Sequence, residues 1–558
     1  MTESPLAFDP RWNHRDLCER YEALPPGLKA CTSAAAMFES FDEWEKIRRD
    51  VASWKIVTEI RTRQSVADAE ASENAGALAV AAPLFETHET EIKRFLLASP
   101  QRQALEARIG STAFSRWAID VESSDPTMQP HLEEQLRLSD RYTALMGSLR
   151  FRLDGNEMTY SGLAGLQKHP DRELRRRALA AQWTPFQEHG EEFDDIFDGL
   201  VRSRTAMALC VGESNFTALA YRRLGRNDYG IAEVRTLRKH IHCTIVPLVA
   251  DLMRAQAGAL GIERLMPWDE STYDAASRIP LNVPMEQIAA GLQRGYDALD
   301  DALAAFARTM AQSGLIDGQD RPGKAPGTFS EFLPHAAMPF VFANATGVPN
   351  DALTLAHETG HAFQAYCSRN YVPLEYITPT NEAAEIHSTA LEFLLWPYYD
   401  AIAGEAADEF RRAHLRRLIS MLPYVAAIDE FQEVVYGNPS ATAQERHATW
   451  RELERFYLPW RTNGEIPALR SGRAWQAQRH VYRFPFYYID YAIATFCALQ
   501  LWSESHTSPR EAANRYVRLC SLGGTLPFTQ LLRKVELRSP FELQTINEVM
   551  HEVASYLR

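Results

Sequence analysis

No stretch of this chain reaches about 18 uninterrupted apolar residues, so no membrane-spanning helix is expected. The opening MTESPLAFDPRWNHRDL has no basic region leading into an apolar run, and no secretory signal is expected either. Cysteine is scarce and unpatterned. The seven residues Cys18, Cys31, Cys210, Cys243, Cys367, Cys497 and Cys520 are odd in number, widely spread and never form C-x-x-C. The expectation is a reduced, cytoplasmic chain whose thiols act mostly as small buried apolar groups. A basic excess is missing too. The formal net charge of −14 argues against a broad basic face for nucleic acid or an anionic membrane, while leaving the charge of a local cleft open. Internal repeats and low-complexity tracts are absent, and strand candidates are very few.

The 558 residues, 46% of them hydrophobic, are ample for a large core and two or three domains. The texture is mainly α. Glu, Arg, Ala and Leu dominate from about Ala34 to Arg152, punctuated by Pro83, Pro100, Pro126 and Pro130. Asp154-Gly155 reads as a turn and Lys168 to Asp171 as a helix start, which places a domain boundary nearby. A loop is expected from Met266 to Pro284. Ile288, Leu292, Tyr296, Leu299, Leu303 and Phe306 then follow at helical spacing in one helix ending at Gly314. Between Gly318 and Gly347 the helical period disappears, and Pro339 to Asn344 reads as a strand. A helix follows from an expected Asn350 N-cap, and helices continue almost to Arg558.

That helix carries His357, Glu358 and His361 as H-E-x-x-H. Histidines four apart share one helix face, about one turn or ~6 Å apart along the axis, so both imidazoles can meet one zinc ion at ~2.0–2.1 Å. Glu358 projects about 100° round from His357, too far to ligate but close enough to serve as general base to a water. The bland alternative is a pair of surface histidines. Leu353, Leu355, Ala356, Ala362, Phe363 and Ala365 surround the motif, however, so the helix is expected to be buried and its polar groups to need partners. Gly360, costly by about 1 kcal/mol in mid-helix, is expected to admit the close approach of another backbone. A third ligand is required, and Glu375, Glu382, Glu385, His387 and Glu392 all lie downstream. Spacing does not choose among them.

HETGHAFQAY followed by AEIHSTALE resembles the oligoendopeptidase F branch of the thimet-type zinc oligopeptidases. In that family an H-E-x-G-H helix is followed by an A-E-I-x-S-x-x-x-E helix whose first Glu is the third zinc ligand. The resemblance therefore implies Glu385, 28 residues after His357, as that ligand, and Glu392 as a partner of a zinc-bound histidine. His387 falls where many relatives have a small residue and is read as a hydrogen-bonded helix histidine. The stretch RHVYRFPFYYIDYAIATFCALQLW from Arg479 resembles the family block in which a His and tyrosines reach over the metal. It implies Tyr491 as the group stabilising the oxyanion, with Tyr488 and His480 beside it.

The resemblance covers Leu200 to Tyr556 well and the first 150 residues weakly. It implies two helical lobes around a deep channel, with a small β-sheet beside the H-E-x-x-H helix. The N-terminal helical lobe would span residues 1–175 and the zinc metallopeptidase domain residues 176–558. It also implies one Zn2+ per chain and short unstructured peptides as substrates, and it makes Phe340 to Asn344 an edge strand that pairs with the peptide backbone. A helical zinc carboxypeptidase competes with this reading, but would need a cation such as Arg470, Arg473 or Arg479 for the substrate's carboxylate. A peptide-binding protein without catalysis would not need Glu358. The near P-loop GQDRPGK, Gly318 to Lys324, lacks the following Ser or Thr and is hemmed by Pro322 and Pro326, which argues against nucleotide binding.

Overall fold

The computed structural model describes residues 4–29, 33–167, 169–272, 279 and 282–557; Cys31, Lys168 and part of the expected Met266 to Pro284 loop lie outside them. The fold is mainly α, with 72% of the chain helical. Two of the long helices begin where an oxygen-bearing side chain satisfies one of the first free N–H groups. Ser33 caps Ala34–Gln64, and Asp68 caps Ala69–Ala98. The run of apolar residues from Ile288 to Phe306 forms two helices, Met285–Leu299 and Asp301–Gln312, rather than one. Asp300 between them is extended, and its carboxylate accepts from the N–H groups of Ala302 and Leu303 at 2.9 and 3.0 Å. An Asp capping its own chain breaks a helix without disturbing the apolar spacing on either side.

The strands are short. β1 (Phe151–Leu153) and β2 (Asn156–Met158) make a hairpin across Asp154-Gly155. β3 (Ile316–Gln319), β4 (Phe329–Leu333) and β5 (Met338–Ala345) form a second sheet in the order β3-β5-β4. β5 contains the expected strand but is central: β3 pairs with it in parallel and β4 antiparallel. The expectation that Phe340 to Asn344 is an edge strand is thereby corrected. Its backbone groups are already partnered on both sides, and its nearly continuous apolar run is that of a strand covered on both faces. β4 is an outer strand of this sheet. The Val341 N–H bonds to the Leu315 carbonyl, on the β3 side. Phe340 and Phe342 therefore bond to β4, and the main-chain groups of Ser330 and Phe332 point away from β5.

The H-E-x-x-H helix, Asn350–Ser368, leaves β5 through the turn at Thr346 to Pro349. The expected Asn350 N-cap is corrected: Pro349 is the N-cap, without a side-chain bond, and Asn350 is the first helical residue; Asp351 Oδ2 instead reaches back to the N–H groups of Thr346, Gly347 and Val348 at 2.8, 2.8 and 3.0 Å. One carboxylate thus fixes how the motif helix departs from the sheet. It packs against a second helix, Asn381–Leu394, that is buried from Glu382 to Leu394 except at Ala384. The contact is made at Gly360. A Cβ there would stand 2.6 Å from the His387 carbonyl oxygen and 2.6 Å from the Ser388 Cα. The close backbone approach expected from a mid-helix glycine is what the structure shows.

Substituting Gly360→Ala is expected to destabilise the protein by about 1–3 kcal/mol despite alanine's better helix propensity, because backbone atoms cannot yield to the new methyl group. Gly76, inside the helix Ala69–Ala98, has nothing within 4 Å of such a Cβ. Gly76→Ala should raise the thermal midpoint slightly, and thermal unfolding of both variants gives the comparison.

Candidate active site

His357 and His361 face the N-terminal half of Asn381–Leu394. Their Nε2 atoms lie 3.3 and 3.7 Å from Glu385 Oε2. Among the described residues, His357, His361 and Glu385 form the one group of three whose donor atoms, within 4.8 Å of one another, could hold a metal ion. A tetrahedral zinc with bonds of ~2.0–2.1 Å sets its ligand atoms about 3.3 Å apart, so this set fits such an ion with little adjustment. The orientation of His357 supports the fit. Its Nδ1–H donates to Glu392 Oε1 at 2.8 Å, which turns Nε2 towards Glu385, where a metal ion would take the place of the proton on that nitrogen.

The partners continue behind Glu392. His414 Nε2 lies 2.8 Å from Glu392 Oε2, and the Trp396 indole N–H donates to His414 Nδ1 at 3.0 Å. Trp396 thereby fixes His414 as the tautomer that presents N–H to the carboxylate. Burial acts to raise the Glu392 carboxyl, but His357 and His414 hold it well below the usual range. Glu385 shows the same balance. Burial opposes its ionisation, while His357, His361 and the Tyr487 hydroxyl hold it down at about 2.

Glu358 behaves in the opposite way. It is buried, its Oε2 has no hydrogen-bond partner, and burial pushes its carboxyl up to about 7 against the charge of His357 and the nearby Thr328, immediately before β4. Three neighbouring carboxylates are thus separated by their surroundings: two are paired and ionised, and one is unpaired with a proton affinity near neutrality.

His480, Tyr488 and Tyr491 come together as one aromatic cluster with Tyr487. His480 lies 4.7, 5.8 and 6.0 Å from the rings of Tyr488, Tyr487 and Tyr491, and Tyr491 lies 5.5 and 5.6 Å from Tyr487 and Tyr488. Burial and the Glu385 charge push the Tyr491 hydroxyl far up, so it stays a proton donor; burial alone takes Tyr488 up to about 12. Gln478 is 2.6 Å from His480 Nδ1, and burial holds that imidazole neutral by lowering it to about 4.

A model described as peptidase family M3 matches residues 165–550, and the M3 N-terminal domain model matches residues 10–124. This chain belongs to peptidase family M3. Its solved structural neighbours agree. It is 34% identical to a structure of Pz peptidase A with an inhibitor, covering 98% of this chain and 97% of that one at a TM-score of 0.93. A protein named oligoendopeptidase F matches with 34% identity, 98% and 96% coverage and a TM-score of 0.92. One of the same name from Bacillus anthracis matches with 31% identity, 98% and 96% coverage and a TM-score of 0.88. A curated relative, an oligoendopeptidase F homolog of Borreliella burgdorferi, is 23% identical over 218 residues, 38% of this chain and 36% of its own length. The resemblance to the oligoendopeptidase F branch of M3 therefore holds, and the activity it carries is that of a peptidase.

Two roles in this M3 site are not readable from the sequence: Tyr487 stands among the aromatic residues that resemble the family block, without an assigned partner, and His414 carries no expectation. Tyr487 donates its hydroxyl to Glu385 Oε1 at 2.6 Å, an orientation that no periodicity reveals in an irregular segment. His414 supports Glu392 from 22 residues downstream. A signal existed for it: Phe410, His414 and Leu418 share an apolar helix face, and a histidine there needs a partner. His387, fully buried, is not part of the three-residue group.

Glu392→Gln should weaken metal binding at His357, His361 and Glu385 by about 10–100-fold, because the lost carboxylate orients His357 and raises its basicity. Competition with a chelating dye measures this directly, and His414→Ala is expected to give a smaller loss in the same direction.

Proposed function

We propose that this chain is a zinc-dependent endopeptidase acting on short unstructured oligopeptides, with one zinc ion per chain held by His357, His361 and Glu385. The observation that carries the reading is the convergence of those three donors beside Glu358, whose buried Oε2 has no partner of its own. Bound zinc supplies Lewis acidity to a water and to the scissile carbonyl. Glu358 takes the proton as water attacks and passes it to the leaving amine; a carboxyl held at about 7 suits both transfers. Tyr491 donates its hydroxyl to the oxyanion, with Tyr488 and the neutral His480 beside it. Their raised proton affinities keep the two tyrosines protonated as donors.

The peptide is proposed to add to the outer edge of β4, where the free N–H and C=O groups of Ser330 and Phe332 offer hydrogen bonds to an extended backbone. This edge adjoins the base, since Thr328, immediately before β4, lies close enough to Glu358 to lower its carboxyl. An N-terminal lobe of residues 1–175 and a catalytic domain of residues 176–558 enclose the site in a channel that admits only short chains. A cytoplasmic location fits the six described cysteines, all free. The carboxypeptidase alternative loses one of its candidate cations. Arg473 pairs with Asp194 at 2.9 Å rather than waiting for a substrate carboxylate.

Short end-blocked peptides should be cut internally, and a chelator should stop the reaction. Glu358→Gln should lower kcat by about 10²–10⁴-fold with zinc still bound. Release of single C-terminal residues would favour the carboxypeptidase instead, and equal cleavage of long denatured proteins would remove the channel from the proposal.

Ser330→Pro tests the strand separately. It deletes one outward N–H without touching the ladder to β5, and proline is tolerated on an edge. KM for peptides should rise by roughly tenfold, the equivalent of one lost hydrogen bond of about 1.4 kcal/mol. An unchanged KM would place the peptide elsewhere.

A further inference from the structure

The segment that carries His480, Tyr487, Tyr488 and Tyr491 is largely irregular between the short helix Arg479–Arg483 and the helix Asp490–Thr507. Buried side chains from elsewhere fix it. Arg204, on the helix Gly190–Cys210, donates to the carbonyls of Val481 at 3.1 Å and Tyr482. Arg226, with a side chain shut off from solvent, donates to the Phe486 carbonyl at 2.7 Å and to Asp490 Oδ1 at 2.6 Å. Gln432, on the helix Ala407–Gly437, accepts the Phe486 N–H at 3.0 Å.

Both main-chain groups of Phe486 are therefore held by buried side chains, and this residue has a φ of +63°. A bulky L-residue enters that left-handed region only when its surroundings over-determine it. The Phe486 ring is also buried, against Tyr221 and Tyr436 at 5.7 Å each. The very next residue is Tyr487, whose hydroxyl lies on Glu385.

We propose that Arg226 and Gln432 clamp the strained turn at Phe486 so that Tyr487 locks the Glu385 carboxylate in its ligating position. Arg226 is then a positioning residue for the third metal ligand and acts through Tyr487. A group that served only to fill the core would more simply be apolar. Here a buried guanidinium is kept although its Nε and one Nη have no partner, and it spans two points, Phe486 and Asp490, on either side of Tyr487 and Tyr488. The inference rests on the metal reading above.

The test is zinc affinity by dye competition on the metal-free full chain, with kcat and KM measured alongside, for Arg226→Met, Tyr487→Phe and the double variant. Each single change should weaken zinc binding by about 10–100-fold and lower kcat more than it raises KM. The double variant should be no worse than the weaker-binding single one, because both remove the same support. Arg226→Lys should recover part of the loss. Gln432→Met leaves no buried charge unpaired, so it serves if Arg226→Met does not fold, and it should show the same non-additivity with Tyr487→Phe. Additive losses, or unchanged zinc affinity in both clamp variants while the wild type binds zinc, would overturn the proposal alone. A wild type that binds no zinc would overturn the metal reading and this inference together.

Discussion

At Gly360 the motif helix has no side chain, and the backbone of Asn381–Leu394 occupies the space a Cβ would take. Helix axes usually stand 8–10 Å apart, separated by side chains on both surfaces. Removing the side chain at the crossing lets the second helix come close enough for its carboxylates to reach imidazoles on the first. Glu385 and Glu392 lie on either side of that crossing, seven residues or about 10.5 Å apart along the axis and on one face. The His357 ring sits between them, with Nε2 towards Glu385 and Nδ1 on Glu392. One helix thus supplies both a candidate ligand and the group that aims the opposing ligand. Neither could do so if the backbones were held a methyl group further apart.

The same closeness makes the site electrostatically demanding. Glu358, Glu385 and Glu392 are all about 5% exposed, and a buried carboxylate is costly unless partnered. Glu385 is supported by two histidines and a tyrosine, and Glu392 by two histidines. Glu358 has the charge of His357 and the nearby Thr328, and an oxygen left without a partner. Differences in partners, not in burial, give the three acids different protonation behaviour. That is the condition for one to move protons while the others stay charged.

How much of this was legible depended on whether a helix carried it. His357, Glu358 and His361 are readable because a 3.6-residue period fixes their relative directions, and Gly360 because glycine in a helix asks for a reason. The third ligand was open on spacing alone, since Glu375, Glu382, Glu385, His387 and Glu392 all follow within reach in sequence. The fold separates them. Glu375 is drawn into a buried network with Arg48 and Trp117, while Glu385 meets the histidines. β4 was missed because five residues among glycines and prolines show little period, and its presence turned the expected edge strand β5 into a central one. Asp300 hid a helix break because the apolar spacing runs straight through it.

Least legible is the segment around Phe486, and the reason is physical. On a helix, Tyr487 and Tyr488 would diverge by about 100° and Tyr488 and Tyr491 would share a face. In the observed turn Tyr488 does pack on Tyr491, but Tyr487 also turns to the same cluster, packing with Tyr491 and His480 while its hydroxyl reaches Glu385. Such a conformation cannot be held by its own backbone ladder. Local turns satisfy the N–H groups of Phe484, Tyr487 and Asp490, but both main-chain groups of Phe486 and the carbonyls of Val481 and Tyr482 are satisfied from outside, by Arg204, Arg226 and Gln432, which lie 54 to 278 residues away in the chain. A helix encodes its geometry locally and so can be read locally. A strained turn borrows its geometry from distant residues, and only the fold shows which ones.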